Sequence, residues 1–78
     1  MSKNWSYSNL MIIAIRKKIE ALGIEHPTVY LAAKDYQELV KDGCISAMTQ
    51  TITSLPGTKV KVNHDLLPEK FKIEVKNQ

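Results

Sequence analysis

Seven consecutive residues, Lys70-Phe71-Lys72-Ile73-Glu74-Val75-Lys76, alternate charged and apolar side chains without a break. Only an extended strand sends every second side chain to the same side. The segment therefore predicts a strand with Phe71, Ile73 and Val75 on a dry face and charge on a wet one. Thr58-Lys59-Val60-Lys61-Val62 repeats the pattern, with Val60 and Val62 dry and Lys59 and Lys61 wet. Strands with one wet face belong to antiparallel sheets or sheet edges, where one side packs on a core and the other meets water. The rest of the chain must supply a layer to cover the dry side.

That layer is legible upstream. Ile12, Ile15, Ile19 and Leu22 recur at helical spacing, Met11 and Tyr7 or Ser8 extend the stripe, and Arg16, Lys17, Lys18 and Glu20 occupy the wet side. Ser8 or Asn9 is placed to cap the start, and Gly23 to end the helix in a left-handed conformation. Ile13, off the main stripe, widens the apolar face. His26-Pro27 then opens a short strand over Thr28 to Leu31, rich in β-branched and aromatic residues. A second helix of about two turns follows, with Tyr36, Leu39 and Val40 inward, Asp35 as its cap, Lys41 near its end and Gly43 as its stop. Cys44 to Leu55 fits a strand, a short helix followed by a strand, or a loop. A loop of that length is uncommon in a compact domain, so at least one short element is expected inside it. Leu55-Pro56-Gly57 and Asn63-His64-Asp65 read as turns, and Leu66 to Glu69 as an excursion before the last strand.

The chain has 78 residues, enough for a single domain. The expected division is an arm over 1–8, one α+β domain over 9–76 and a tail over 77–78. The architecture this order implies is two helices packed on one face of a small, mainly antiparallel sheet of three or four strands. The first helix is expected to lie on Val29, Leu31, Val60, Val62, Phe71 and Ile73. So small a core is marginal, and self-association would help it.

Several function classes lose support at this level. The longest apolar run, Leu10 to Ile15, has six residues, whereas a membrane span needs about 20. No secretory cleavage pattern follows Met1, so a soluble, cytoplasmic protein is expected, and no membrane partner. Arg16-Lys17-Lys18 is too short a basic run, and is followed too closely by Glu20, to read as a membrane-surface motif. Cys44 is the sole cysteine, which removes disulfides and thiolate-rich metal sites. His26 beside Pro27 and His64 beside Asp65 do not form a ligand set. Cys44, His64 and Asp65 are the candidate Cys/His/Asp set, and Cys44 follows a helix C-terminus, where the dipole disfavours a thiolate. Leu55-Pro56-Gly57-Thr58-Lys59 lacks the glycines of a phosphate loop. No catalytic residue, cofactor, metal or small-molecule substrate is expected.

Two binding roles remain. The primary expectation is a non-catalytic structural or protein-interaction domain, with surplus apolar surface at Trp5, Tyr7, Met11 and Ile13 buried against a partner or a second copy in a two-fold dimer. The alternative is nucleic-acid binding. If the two C-terminal strands pair, Lys59, Lys61, Lys70 and Lys72 share an exposed face, with Lys76 farther along. On that arrangement the face carries no aromatic for base stacking, Arg16 is the sole arginine, and lysines on edge strands also guard against unwanted pairing.

The order Pro27-Thr28-Val29-Tyr30-Leu31, Asp35-Tyr36, Glu38-Leu39, Gly57-Thr58-Lys59-Val60-Lys61-Val62, Leu67-Pro68 and Lys70-Phe71-Lys72-Ile73 resembles a stretch of the peripheral domain of tailed-phage major capsid proteins. The resemblance covers about residues 27–76. In that family a proline-led strand, an Asp-containing helix, a small insertion, a valine-rich strand, a Leu-Pro turn and a final strand follow one another. The long arm, the spinal helix and the axial domain are missing here. The resemblance therefore implies a detached, phage-encoded accessory or structural domain, virion-associated in that case, and transfers no catalytic or ligand residue.

Overall fold

The computed structural model describes residues 6–74. Helix α1 spans Tyr7–Leu22, strand β1 Thr28–Leu31, helix α2 Ala33–Lys41, and strands β2 Ile45–Ser46, β3 Thr51–Ile52, β4 Lys59–Val62 and β5 Phe71–Glu74. The strands form one open sheet in the order β2-β3-β4-β1-β5. The pair β1–β4 is parallel, and β1–β5, β2–β3 and β3–β4 are antiparallel. This is the expected α+β architecture, two helices against a mostly antiparallel sheet. Its strand count rises to five because the ambiguous segment folds into a hairpin of two two-residue strands.

Alternation decides the layers. Val29 and Leu31 of β1 and Val60 of β4 are completely buried, and they pack with Met11 and Ile15 of α1, Leu39 of α2, Ile45 and Ile52. Phe71 and Ile73 of the edge strand β5 are partly buried against the same cluster. The face of α1 that reaches the core is Ser8, Met11 and Ile15, with Ile12 and Ile19 at its margin. Leu22, expected in the stripe, is 43% exposed. The buried positions of α1 run from Ser8 to Ile15, toward its N-terminal end, where Tyr7 and Ser8 meet α2 and its end.

The caps differ from those read in the sequence. Ser6 caps α1, its Oγ accepting from the Asn9 N–H at 3.1 Å, so the helix begins two residues before Asn9 and inside the expected arm. Ser8, relieved of capping, is buried and donates to Asp42 Oδ2 at 2.6 Å, which ties α1 to the end of α2. Asp35 caps nothing. The N-cap position of α2 is Ala32, without a side-chain hydrogen bond, and Asp35 points into the structure instead. Gly43 stops α2 as expected. With φ of 81° it donates to the Val40 carbonyl while Cys44 donates to Leu39, the paired bonds of a Schellman end.

Both Pro-containing turns before the lysine strands follow one scheme. Thr58 N–H closes onto the Leu55 carbonyl with Gly57 at φ 88°, and Lys70 N–H onto the Leu67 carbonyl with Glu69 at φ 73°. Proline second and a positive φ third is the type II pattern. At Gly57 that conformation is free of strain, whereas at Glu69 it is held by an outside contact. The Glu69 N–H donates to Asp35 Oδ2 at 2.7 Å.

Candidate functional site

The central position of β1 corrects the expected pairing of the two C-terminal strands. β1 lies between β4 and β5, so the lysine strands do not touch. Register nevertheless brings most of the expected cations together on the face the helices leave uncovered. Lys59, Thr28 and Glu74 form one row across β4, β1 and β5, and Lys61, Tyr30 and Lys72 form the next. Thr51 of β3 and Ser46 of β2 continue the first row. With neighbouring strands about 4.8 Å apart, Lys61 and Lys72 stand about 10 Å from each other with Tyr30 between them. Lys59, Lys61, Lys72 and Glu74 are exposed, and Thr28 and Tyr30 half-buried among them. Lys70 precedes β5 in the turn, and Lys76 lies outside the described residues.

Tyr30 also corrects the expectation of a face without an aromatic. Val29 and Leu31 point inward, which sends Tyr30 outward by the period of a strand. The signal was present in the sequence, but pairing β4 directly with β5 hid it. The Tyr30 hydroxyl donates to Glu74 Oε1 at 3.0 Å. Glu74 is the diagonal neighbour of Tyr30 on the adjacent strand, a position within reach of an aromatic side chain. That hydrogen bond, burial and the carboxylate's charge push the phenol's pKa above its ordinary value. A shallow hollow of about 290 Å³ runs between Tyr30, Asn63, Lys72, Ile73 and Glu74.

Of the expected contact residues, Trp5 lies outside the described residues. Met11 is 6% exposed and belongs to the core, because the helix turns that position onto the sheet. Ile13 is partly exposed and Tyr7 about a third exposed at 37%. Tyr7 is nonetheless committed to the fold: its hydroxyl donates to Asp35 Oδ1 at 2.7 Å. Burial, then the hydrogen bond and charge of Asp35, drive its pKa well above the usual phenol range.

Sequence reading missed the cluster around Asp35. This carboxylate is 2% exposed, and each of its oxygens takes one donor, the Tyr7 hydroxyl and the Glu69 N–H. A hollow of about 310 Å³ opens beside it, lined by Tyr7, Lys34, Glu38, Pro68 and Glu69. The arrangement fastens α1, α2 and the β4–β5 connection at one point. A third hollow, about 370 Å³, is bordered by Ile19, Ile24, Pro27, Leu55 and Pro56, with His26 at its rim.

Cys44 is half-buried, and burial followed by the Asp42 carboxylate pushes its thiol up, so it remains protonated and weakly nucleophilic near neutrality. Among the described residues no three His, Cys, Asp or Glu side chains gather as a metal site would require. No helix among them is long and apolar enough to cross a membrane. No family model matches this chain, and neither a curated protein nor a solved structure matches it.

Proposed function

We propose that this chain is a small non-catalytic binding domain whose working surface is the uncovered face of its sheet, and that its partner is an acidic macromolecule. One observation carries the reading. Both helices pack on one side, and the other side sets Lys59, Lys61 and Lys72 around Tyr30 with Glu74 as the sole acid in those two rows. A cationic patch on a rigid sheet raises the local concentration of a polyanion and orients it. The competing cationic surface is Arg16, Lys17 and Lys18 on the exposed side of α1. An amide chemical-shift map recorded during titration with heparin separates the two. Shifts confined to β1, β4 and β5 are expected. Shifts at residues 16–18, or none anywhere, would overturn the reading.

A second reading rests on the succession of elements. Strand β1, helix α2, the β2–β3 hairpin, strand β4, the Leu67-Pro68 turn and strand β5 follow one another as in the resemblance to capsid peripheral domains. That order supports an accessory structural domain that associates with itself or with another protein. Met48, Leu67 and Leu10, at 95%, 69% and 53% exposure, are the most exposed of its large apolar side chains. Light scattering across a concentration series tests it. A two-fold dimer is expected on this reading, and a monomer at all concentrations speaks against self-association.

A further inference from the structure

We infer that the acidic partner is a single-stranded nucleic acid, with one base laid on the ring of Tyr30 and the flanking phosphates over Lys61 and Lys72. The inference rests on the proposed use of the uncovered face and adds the class of ligand.

The geometry carries it in three parts. First, the cations are not spread evenly: Lys61 and Lys72 sit on either side of Tyr30 in one row of side chains, and Lys59 in the row beside it. An aromatic between two lysines matches a polymer that presents alternately a flat base and a charged phosphate, whereas a polyanion without bases has no use for the ring. Second, the ring's hydroxyl is tied to Glu74 at 3.0 Å, which fixes the ring on the open side beside the lysines. Third, the hollow of about 290 Å³ at the ring's edge is lined by Asn63 as well as Lys72 and Glu74. It therefore offers amide and carboxylate groups to the edge of a stacked base. A duplex hides its base faces, so the stacking platform favours an unpaired strand. The single strongly basic row is also too small to cradle a double helix.

Glu74 limits the affinity. Its carboxylate stands on the same face as the lysines and repels phosphate, while its bond to Tyr30 holds the platform in place.

Binding of the full chain to a mixed-sequence single-stranded oligonucleotide, to a duplex of that sequence and to inorganic polyphosphate of equal charge tests the inference. The oligonucleotide is expected to bind about tenfold more tightly than polyphosphate, the difference being the stacked base. With three lysines engaged, log affinity should fall against log salt with a slope of about −2. Tyr30→Val keeps a β-branched strand residue without a ring and should erase the advantage over polyphosphate. Tyr30→Phe keeps the ring without its tie to Glu74 and should retain most of it. Glu74→Gln should tighten binding a few-fold to both ligands. Equal binding of oligonucleotide and polyphosphate, or an advantage that survives Tyr30→Val, overturns the nucleic-acid inference and leaves the proposed binding face standing. Tighter binding to the duplex also overturns it. Absence of binding to all three ligands overturns both.

Discussion

Val29 and Tyr30 are adjacent in the chain and stand on opposite sides of the sheet. Val29 is completely buried beneath the helices, and Tyr30 lies among lysines on the open side. The same split holds over the first three residues of β4, where Val60 is completely buried and Lys59 and Lys61 are exposed; Val62, expected beneath the first helix, is 37% exposed instead. Two different demands are thus met by alternate residues of the same strands. The inner side is apolar because about 25 cal/mol per Å² of buried apolar surface holds a small domain together. The outer side carries charge that contributes nothing to that burial. Burial dictates the apolar character of the inner set and leaves the outer set far less constrained, since threonine, serine or glutamate would solvate an open face as well as a row of lysines around a tyrosine. The difference between the two faces is what directs attention to the outer one.

The sharpest test of the inner face is Leu39→Ala. Leu39 is completely buried on the inner face of α2, at 0% exposure, and the change should cost about 2–5 kcal/mol by lost transfer energy and the cavity left behind. A chain of this length has roughly 4–12 kcal/mol of total stability, so the urea midpoint should drop steeply. A loss below about 1 kcal/mol, outside the usual range for such sites, would mean that the inner face is not the core of the domain.

Asp35 should come next. Asp35→Ala leaves the buried end of the Tyr7 hydroxyl and the Glu69 N–H without their acceptor, at a cost of about 1–3 kcal/mol. Because Tyr7 and Asp35 share one hydrogen bond, Tyr7→Phe combined with Asp35→Ala should cost less than the sum of the two single changes. The pKa of Tyr7 is raised in the folded chain. Its contribution to stability is therefore complete below the phenol's unfolded pKa of about 10 and is lost as pH rises above that value. A series of urea midpoints from neutral to strongly alkaline pH should show this decline, and Tyr7→Phe should flatten it. An unchanged alkaline limb in the variant would detach Tyr7 from Asp35.

At the turns, backbone and contact effects separate. Gly43→Ala meets open space but must hold φ near 81°, a left-handed strain of about 1 kcal/mol. Gly57→Ala carries similar strain at φ 88° and sets its Cβ 2.8 Å from His26 Nδ1, so it should destabilise more. His26→Ala in the Gly57→Ala background should recover the excess and bring the two glycine sites level. If it does not, the difference lies in the backbone alone.

Alternation made β4 and β5 legible because a two-residue period needs only four residues to show itself, and β1 was legible from its β-branched and aromatic residues. The period placed Val60 correctly, whereas Val62, expected on the dry side, is 37% exposed at the end of β4. Alternation carried no information on which strand lies beside which. The insertion of β1 between β4 and β5 arises from the parallel crossover through α2 and the hairpin, a long-range arrangement. The two-residue strands Ile45–Ser46 and Thr51–Ile52 are shorter than any periodicity. Their pairing is fixed by the turn before Thr51, where Gln50 adopts φ 56° and donates to the Ser46 carbonyl. Asp35 misled for a related reason. An acid near a helix start is commonly a cap, and only the tertiary fold brings Tyr7 and Glu69 close enough to draw it inward. On the candidate face, lysine positions 59, 61 and 72 followed from the strand period alone, while Tyr30 came between Lys61 and Lys72 only through the strand order.

The smallest expected effect on stability tests the outer face. Replacing Lys59, Lys61 and Lys72 together by Gln removes three exposed charges that bury nothing, and exposed substitutions of this kind fall within about 0.5 kcal/mol each way. A slight gain is the favoured sign, because Lys59 and Lys61 share one face of β4 and like charges at that spacing repel. The urea midpoint should hold or rise, and the slope of the transition should stay the same, since no surface is newly exposed on unfolding. A clear loss of stability would mean that the lysines serve the sheet through aliphatic packing over Thr28 and Tyr30. The case for a binding face would then lose its main support, because it depends on these side chains being present for a reason other than the fold.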